Sequence, residues 1–107
     1  MQIYTVEWDN DDVMYDTYSE FVVCCKDANE ARRTHPACWT YDPETLEWYQ
    51  LSTDGVRHVD RYHNKRSSDA GASWINAAKI ADLIVVHIGT ALPGTQKGVI
   101  MSSFHAG

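Results

Sequence analysis

Residues 19–26, SEFVVCCK, decide how the chain is built. The run Phe21-Val22-Val23-Cys24-Cys25 is apolar at every position. Successive side chains of a strand point to opposite faces, so this run is apolar on both, which predicts an inner strand of a sheet. Upstream, residues 2–8, QIYTVEW, alternate with period two. Tyr4, Val6 and Trp8 make one face and Ile3, Thr5 and Glu7 the other, a second strand. The two are expected to pair antiparallel around residues 9–18, DNDDVMYDTY, a polar and acid-rich connection. Downstream, Asp27 stands three residues before Glu30, the spacing of a capping box. It opens a short helix over 27–35 that Pro36 ends, with Arg32 and Arg33 where the helix dipole favours cations.

The pattern continues outward. Residues 41–45, YDPET, signal a turn, and Asp54-Gly55 between segments 46–52 and 56–62 predicts a hairpin at a sheet edge. Residues 63–73, HNKRSSDAGAS, are small and polar and read as a loop. Ser73 would cap a helix over 74–82 with Trp74, Ala77, Ala78 and Ala81 on one side. LIVVHIG (83–89) is the most strand-like stretch and is expected at the sheet centre, and GVIMSSF (98–104) forms a last strand. The fold class is α+β, a single domain over 1–107, with a mostly antiparallel sheet of five to six strands and two short helices on one face.

Charge is unevenly placed. The chain carries 15 acids and 9 bases, net −6. Residues 1–20 hold Glu7, Asp9, Asp11, Asp12, Asp16 and Glu20 and no Lys or Arg, so the rest of the chain is neutral. Such a field steers a basic partner and repels nucleic acid. Tyr15 and Tyr18 fall inside the acidic stretch. Aromatic anchors within a charged rim are the composition of a protein-binding patch. The surface read from the sequence is therefore Asp9, Asp11, Asp12, Tyr15, Asp16, Tyr18 and Glu20.

Other chemistries fit poorly. A calcium loop begun at Asp9 would place Val13 at its fifth position and Met14 where glycine is required. Gly89–Lys97 lacks the Gly-Lys-Ser/Thr sequence of a phosphate loop. His35 and Cys38 make half a zinc site without a second pair. Arg57, Arg61, Lys65 and Arg66 form a basic cluster too thin for nucleic-acid binding on so acidic a chain. Neither metal nor cofactor is expected. Three cysteines, Cys24, Cys25 and Cys38, do not make a disulfide framework. That cysteine usage predicts a reducing, cytoplasmic compartment; the opening MQIYTVEWDN shows no apolar signal core, and no membrane span is visible.

Two stretches, YTVEWDNDD…YDTYSEFVVCCKDANEARRTHP and the final VVHIGTALPGTQKGVIMSSFHAG, resemble small accessory proteins of tailed bacteriophages. The resemblance implies a viral protein in the bacterial host cytoplasm. It implies a non-enzymatic inhibitor of a host defence protein, such as a CRISPR effector, whose basic surface the acidic stretch would occupy. Two alternatives remain open. One is a small enzyme or ligand-binding domain with a pocket near residues 63–73 that contains Cys38 or a histidine. The other is a homodimer paired through an edge strand at 56–62 or 98–104.

Overall fold

Strand β1 (Gln2–Glu7) pairs antiparallel with β2 (Thr17–Cys25) in unbroken register from Gln2↔Cys25 to Glu7↔Glu20. The protein is described by a computed structural model that covers residues 1–9, 17–59 and 74–105. Of the sequence readings, residues 10–16, the end of the hairpin arm at 60–62, the loop at 63–73 with Ser73, and Arg61, Lys65 and Arg66 of the basic cluster lie outside the described residues. Unbroken register keeps the alternation strict. Tyr4, Val6, Phe21, Val23 and Cys25 point to one face, and all five are buried.

The helix α1 (Ala28–Arg32) begins as its sequence dictates. Glu30 N–H donates to Asp27 Oδ1 at 2.9 Å. The reciprocal bond of the capping box falls one residue early, with Lys26 N–H donating to Glu30 Oε1 at 3.2 Å. Strands β3 (Thr40–Asp42), β4 (Glu47–Leu51) and β5 (Arg57–Val59) form a second, three-stranded antiparallel sheet in the order β3-β4-β5. The turn at 43–46 therefore joins two strands, and β3 is an addition to the sequence reading. Asp42 makes this turn: its Oδ1 accepts from the N–H groups of Glu44 and Thr45, and its carbonyl accepts from Leu46 N–H. The Asp54-Gly55 hairpin forms as expected, with Gly55 at φ 83°, where a side chain would be strained.

A 3₁₀ helix, Ala77–Asp82, stands where a helix over 74–82 was expected. Its cap is Asn76, whose side chain accepts from Ala78 N–H. Its three-residue period turns Ala77, Ile80 and Leu83 toward the core and leaves Ala78 and Ala81 exposed, unlike the predicted face. Arg32 Nη1 donates to the carbonyls of Ile80, Ala81 and Leu83, tying α1 to the end of this helix.

Strands β6 (Ile84–Thr90) and β7 (Gly98–His105) complete the first sheet, in the order β6-β1-β2-β7. The centre is thus β1 and β2. Residues 84–90 lie at an edge, contrary to their expected central place. Among the described residues, seven strands in two sheets with two small helices make an α+β fold, with more strands than expected and divided between sheets. The core lies on the inner face of the first sheet, closed by α1, the segment around the 3₁₀ helix and Trp48 of the second sheet; Phe21, Trp48 and Trp74 are all but fully buried. Trp48 Nε1–H donates to Ile75 O at 2.9 Å and joins the second sheet to the segment ahead of the 3₁₀ helix.

Candidate functional site

One face of the four-stranded sheet covers the core; the other faces outward. Register assigns its residues. Ile3, Thr5 and Glu7 of β1 and Glu20, Val22 and Cys24 of β2 point outward, opposite to the core residues. On the flanking strands Ile84 and Val86 of β6, and Met101 and Ser103 of β7, pair with these positions. Six of these ten side chains are apolar, whereas an antiparallel sheet face that meets only water is normally polar. Cys24 is covered, but Met101 is 65% exposed, Val86 49% and Ile84 43%. Each edge strand also carries a bulge, opposite Ile3-Tyr4 and opposite Val22-Val23, whose extra residues are Ile88 and Ile100, both more than half exposed. Bulges protect sheet edges against pairing with another strand.

The acids gather at one end of this face. Trp8 N–H donates to Ser19 O at 2.9 Å, so the alternation of the ladder makes the adjacent Glu7↔Glu20 a non-hydrogen-bonded pair, the type in which side chains lie closest. Two exposed carboxylates stand there across from each other, and Asp9, also exposed, follows in the chain. Between Thr5, Val22 and Met101 lies a hollow of about 180 Å³ with Glu20 and Ser103 at its rim. Tyr18 is half-buried against the core, and its ring lies 4.7 Å from that of Phe104, which remains 47% exposed. Asp9, Tyr18 and Glu20 therefore sit at one end of the β1–β2 pair, while Asp11, Asp12, Tyr15 and Asp16 lie outside the described residues. The sequence reading missed the apolar floor and Phe104. Its signal is present in Ile3-x-Thr5-x-Glu7 and in the two-sided apolarity of 21–25, which fits an inner strand equally with its second face covered or open.

A second concavity, a cleft of about 650 Å³, opens at the other end of β2. Lys26, Arg33, Cys38, Trp39, Tyr41 and Lys97 are among its lining residues. Its wall is set by His35, which is buried with Nδ1 accepting from Ala37 N–H at 2.9 Å, while His35 O accepts from Cys38 N–H at 3.1 Å. The ring of His35 packs edge-on against Trp48, 5.0 Å away. Cys38 consequently adopts φ 67°, a left-handed conformation unusual outside glycine, and its thiol is exposed. The other two cysteines are buried, and burial pushes the Cys25 thiol above its ordinary range. Cys38 and His35 thus line a real cleft, formed against α1, β3 and the start of β7.

Among the described residues no three His, Cys, Asp or Glu side chains come close enough to hold a metal ion, and no helix is long and apolar enough to cross a membrane. No protein-family model, curated protein or solved structure matches the chain. Its function must be argued from these two surfaces.

Proposed function

We propose that this protein is a non-enzymatic binding module that docks the outward face of its four-stranded sheet on another protein. The observation that carries the reading is an apolar floor of exposed Val86 and Met101 with half-buried Val22, ending in the close Glu7–Glu20 pair. Like charges directly opposite on adjacent strands destabilise a sheet. A fold that keeps them beside an apolar patch has a use for them outside itself. The complementary partner presents Lys or Arg around an apolar patch. Its basic side chain would lay an aliphatic stem along Val22 and Met101 and place its charge at Glu20 and Glu7, as long cationic side chains do at mixed surfaces.

With the phage resemblance, this partner is a bacterial host protein, and covering its basic surface would block its access to nucleic acid. The test uses the full chain, Met101→Lys, Val86→Lys, and Glu7→Gln/Glu20→Gln. Each is used to capture host proteins from bacterial lysate, and the captured protein is purified and titrated. The reading predicts a single stoichiometric partner whose affinity falls at least about tenfold for each variant and falls with rising salt. Affinity that is indifferent to salt and to all three variants would refute it. A free chain that is already a dimer, lost in Met101→Lys, would assign the face to a second copy instead.

A further inference from the structure

The cleft at the far end of β2 gathers three of the nine basic residues of an acidic chain: Lys26, Arg33 and Lys97. Two of them are held by acids. Lys97 Nζ lies 3.1 Å from Glu30, and Lys26 lies 3.9 Å from Asp27 in an exposed pair that water largely screens. Arg33 differs. Among the described residues no carboxylate lies within ion-pair distance of it, although acids outnumber bases in this chain. Its guanidinium rests 5.2 Å from the centroid of Tyr41 and is exposed at the cleft. The other arginines described are committed to the fold. Arg32 caps the 3₁₀ helix, and Arg57 pairs with Asp42 and Glu47. Arg33 makes no such structural bond, so its planar fork of donors is available to an anion.

The rest of the wall is aromatic and pre-formed. Trp39 and Tyr41 are half-buried, packed against the core on one side and lining the cleft on the other. The turn that presents them is locked by His35 through Ala37 and Cys38. Flat apolar walls with a few convergent cations, in a cleft of several hundred Å³, are the composition of a small-ligand site. A stacking surface asks for a planar ring; an arginine without a carboxylate partner, beside two lysines already paired with Glu30 and Asp27 of the same wall, asks for one compact anionic group. A long polyanion is disfavoured by the net charge of −6, whereas one phosphate meets only the local field.

We propose that this cleft binds a small ligand carrying phosphate on a ring-bearing scaffold, nucleoside monophosphates being the plainest case, with Arg33 holding the phosphate and Trp39 and Tyr41 facing the ring. The site is separate from the outward sheet face and does not depend on what docks there.

Cys38 is a built-in reporter, the one exposed thiol of three, inside the cleft. The experiment follows its alkylation by iodoacetamide, an uncharged reagent, by intact mass. The probes are adenosine, guanosine, cytidine and uridine monophosphates at millimolar concentration, beside adenosine alone, inorganic phosphate and ribose 5-phosphate. At least one nucleoside monophosphate should slow alkylation about tenfold near saturation, because the occupied cleft excludes the reagent. Adenosine and the ring-free phosphates should do so far more weakly. Arg33→Gln should weaken that protection about tenfold or more while lowering the thermal midpoint by no more than the few degrees that loss of the Arg33–Tyr41 contact costs. Three results would each overturn the proposal: no protection by any of the four, equal protection by inorganic phosphate, or unaltered binding by Arg33→Gln. Protection by an acidic peptide and by no nucleotide would also overturn it and give the cleft to a protein ligand.

Discussion

Replacing Glu20 by Lys should make this protein more stable and a poorer binder. Glu7 and Glu20 face each other at a non-hydrogen-bonded position of the β1–β2 ladder. Opposed side chains there start from Cβ atoms roughly 4.5–5.5 Å apart, and a charged pair contributes roughly 0.2–1 kcal/mol with the sign set by the charges. Coulomb's law agrees: unit charges about 5.5 Å apart in a water-like dielectric interact by about 0.8 kcal/mol. Glu20→Lys removes a repulsion and adds an attraction, so it should stabilise the chain by about 1 kcal/mol, and Glu20→Gln by about half as much. For a chain of 107 residues that is a rise of about 4 °C in the thermal midpoint. Urea denaturation at about 10 mM and about 1 M salt tests the cause, since the screening length falls from ~30 to ~3 Å. The gain should be present at low salt and mostly gone at high salt. The double variant Glu7→Lys/Glu20→Lys should return to the parent stability by restoring a like-charge pair. Loss of stability in Glu20→Lys at low salt, or a gain untouched by salt, would refute the reasoning. The same variant should weaken partner binding by at least about tenfold, separating what the fold needs from what the surface does.

Further expectations follow from the scaffold. Arg32→Met removes the clamp on three carbonyls at the end of the 3₁₀ helix and should cost about 2 kcal/mol by urea denaturation, with Arg32→Lys recovering part of it. Trp48→Phe leaves the carbonyl of Ile75 without its buried donor and shrinks a fully buried ring; a loss of about 2–4 kcal/mol is expected in the same assay. The Asp42 carboxyl is held below its ordinary range, first by the backbone N–H of Glu44 and then by Arg57. A carboxyl lowered by folding stabilises the native state above its unfolded pKa of about 4, and that stabilisation is lost as pH falls through its lower folded value. Denaturation midpoints of the parent should therefore fall between about pH 4 and pH 2 more steeply than those of Asp42→Asn, and equal slopes would dismiss the contribution of Asp42.

The acidic edge of the candidate surface was legible because charge is a property of the chain before it folds. Residues 1–20 hold six acids and no base, and among the described ones Glu7 and Glu20 stand opposite each other, with Asp9 next along the chain from β1. The apolar floor between them was hidden by an ambiguity of period-two reasoning. An apolar run such as 21–25 or 83–89 says that both faces of a strand avoid water. It does not say whether the second face is covered by the same chain. The cleft was invisible for a different reason. Arg33, Cys38, Tyr41 and Lys97 are spread over 65 residues and converge only when β3 and the start of β7 come up against α1.

What the amino-acid order determined by itself was local: the β1–β2 alternation, the Asp27 cap, the Asp54-Gly55 turn and the acidic end. Each depends on steric and hydrogen-bonding preferences within a few residues, or on charge, which needs no partner. Tertiary structure decided the rest. It placed residues 84–90 at an edge because β1 and β2 took the centre, turned the helix near Trp74 into a 3₁₀ turn capped by Asn76, and split the seven described strands between two sheets, the second of which buries Trp48 in the core. It also left one apolar sheet face open. These outcomes depend on which surfaces find each other across the core, and burial is non-directional: it rewards covering an apolar face without naming the element that covers it.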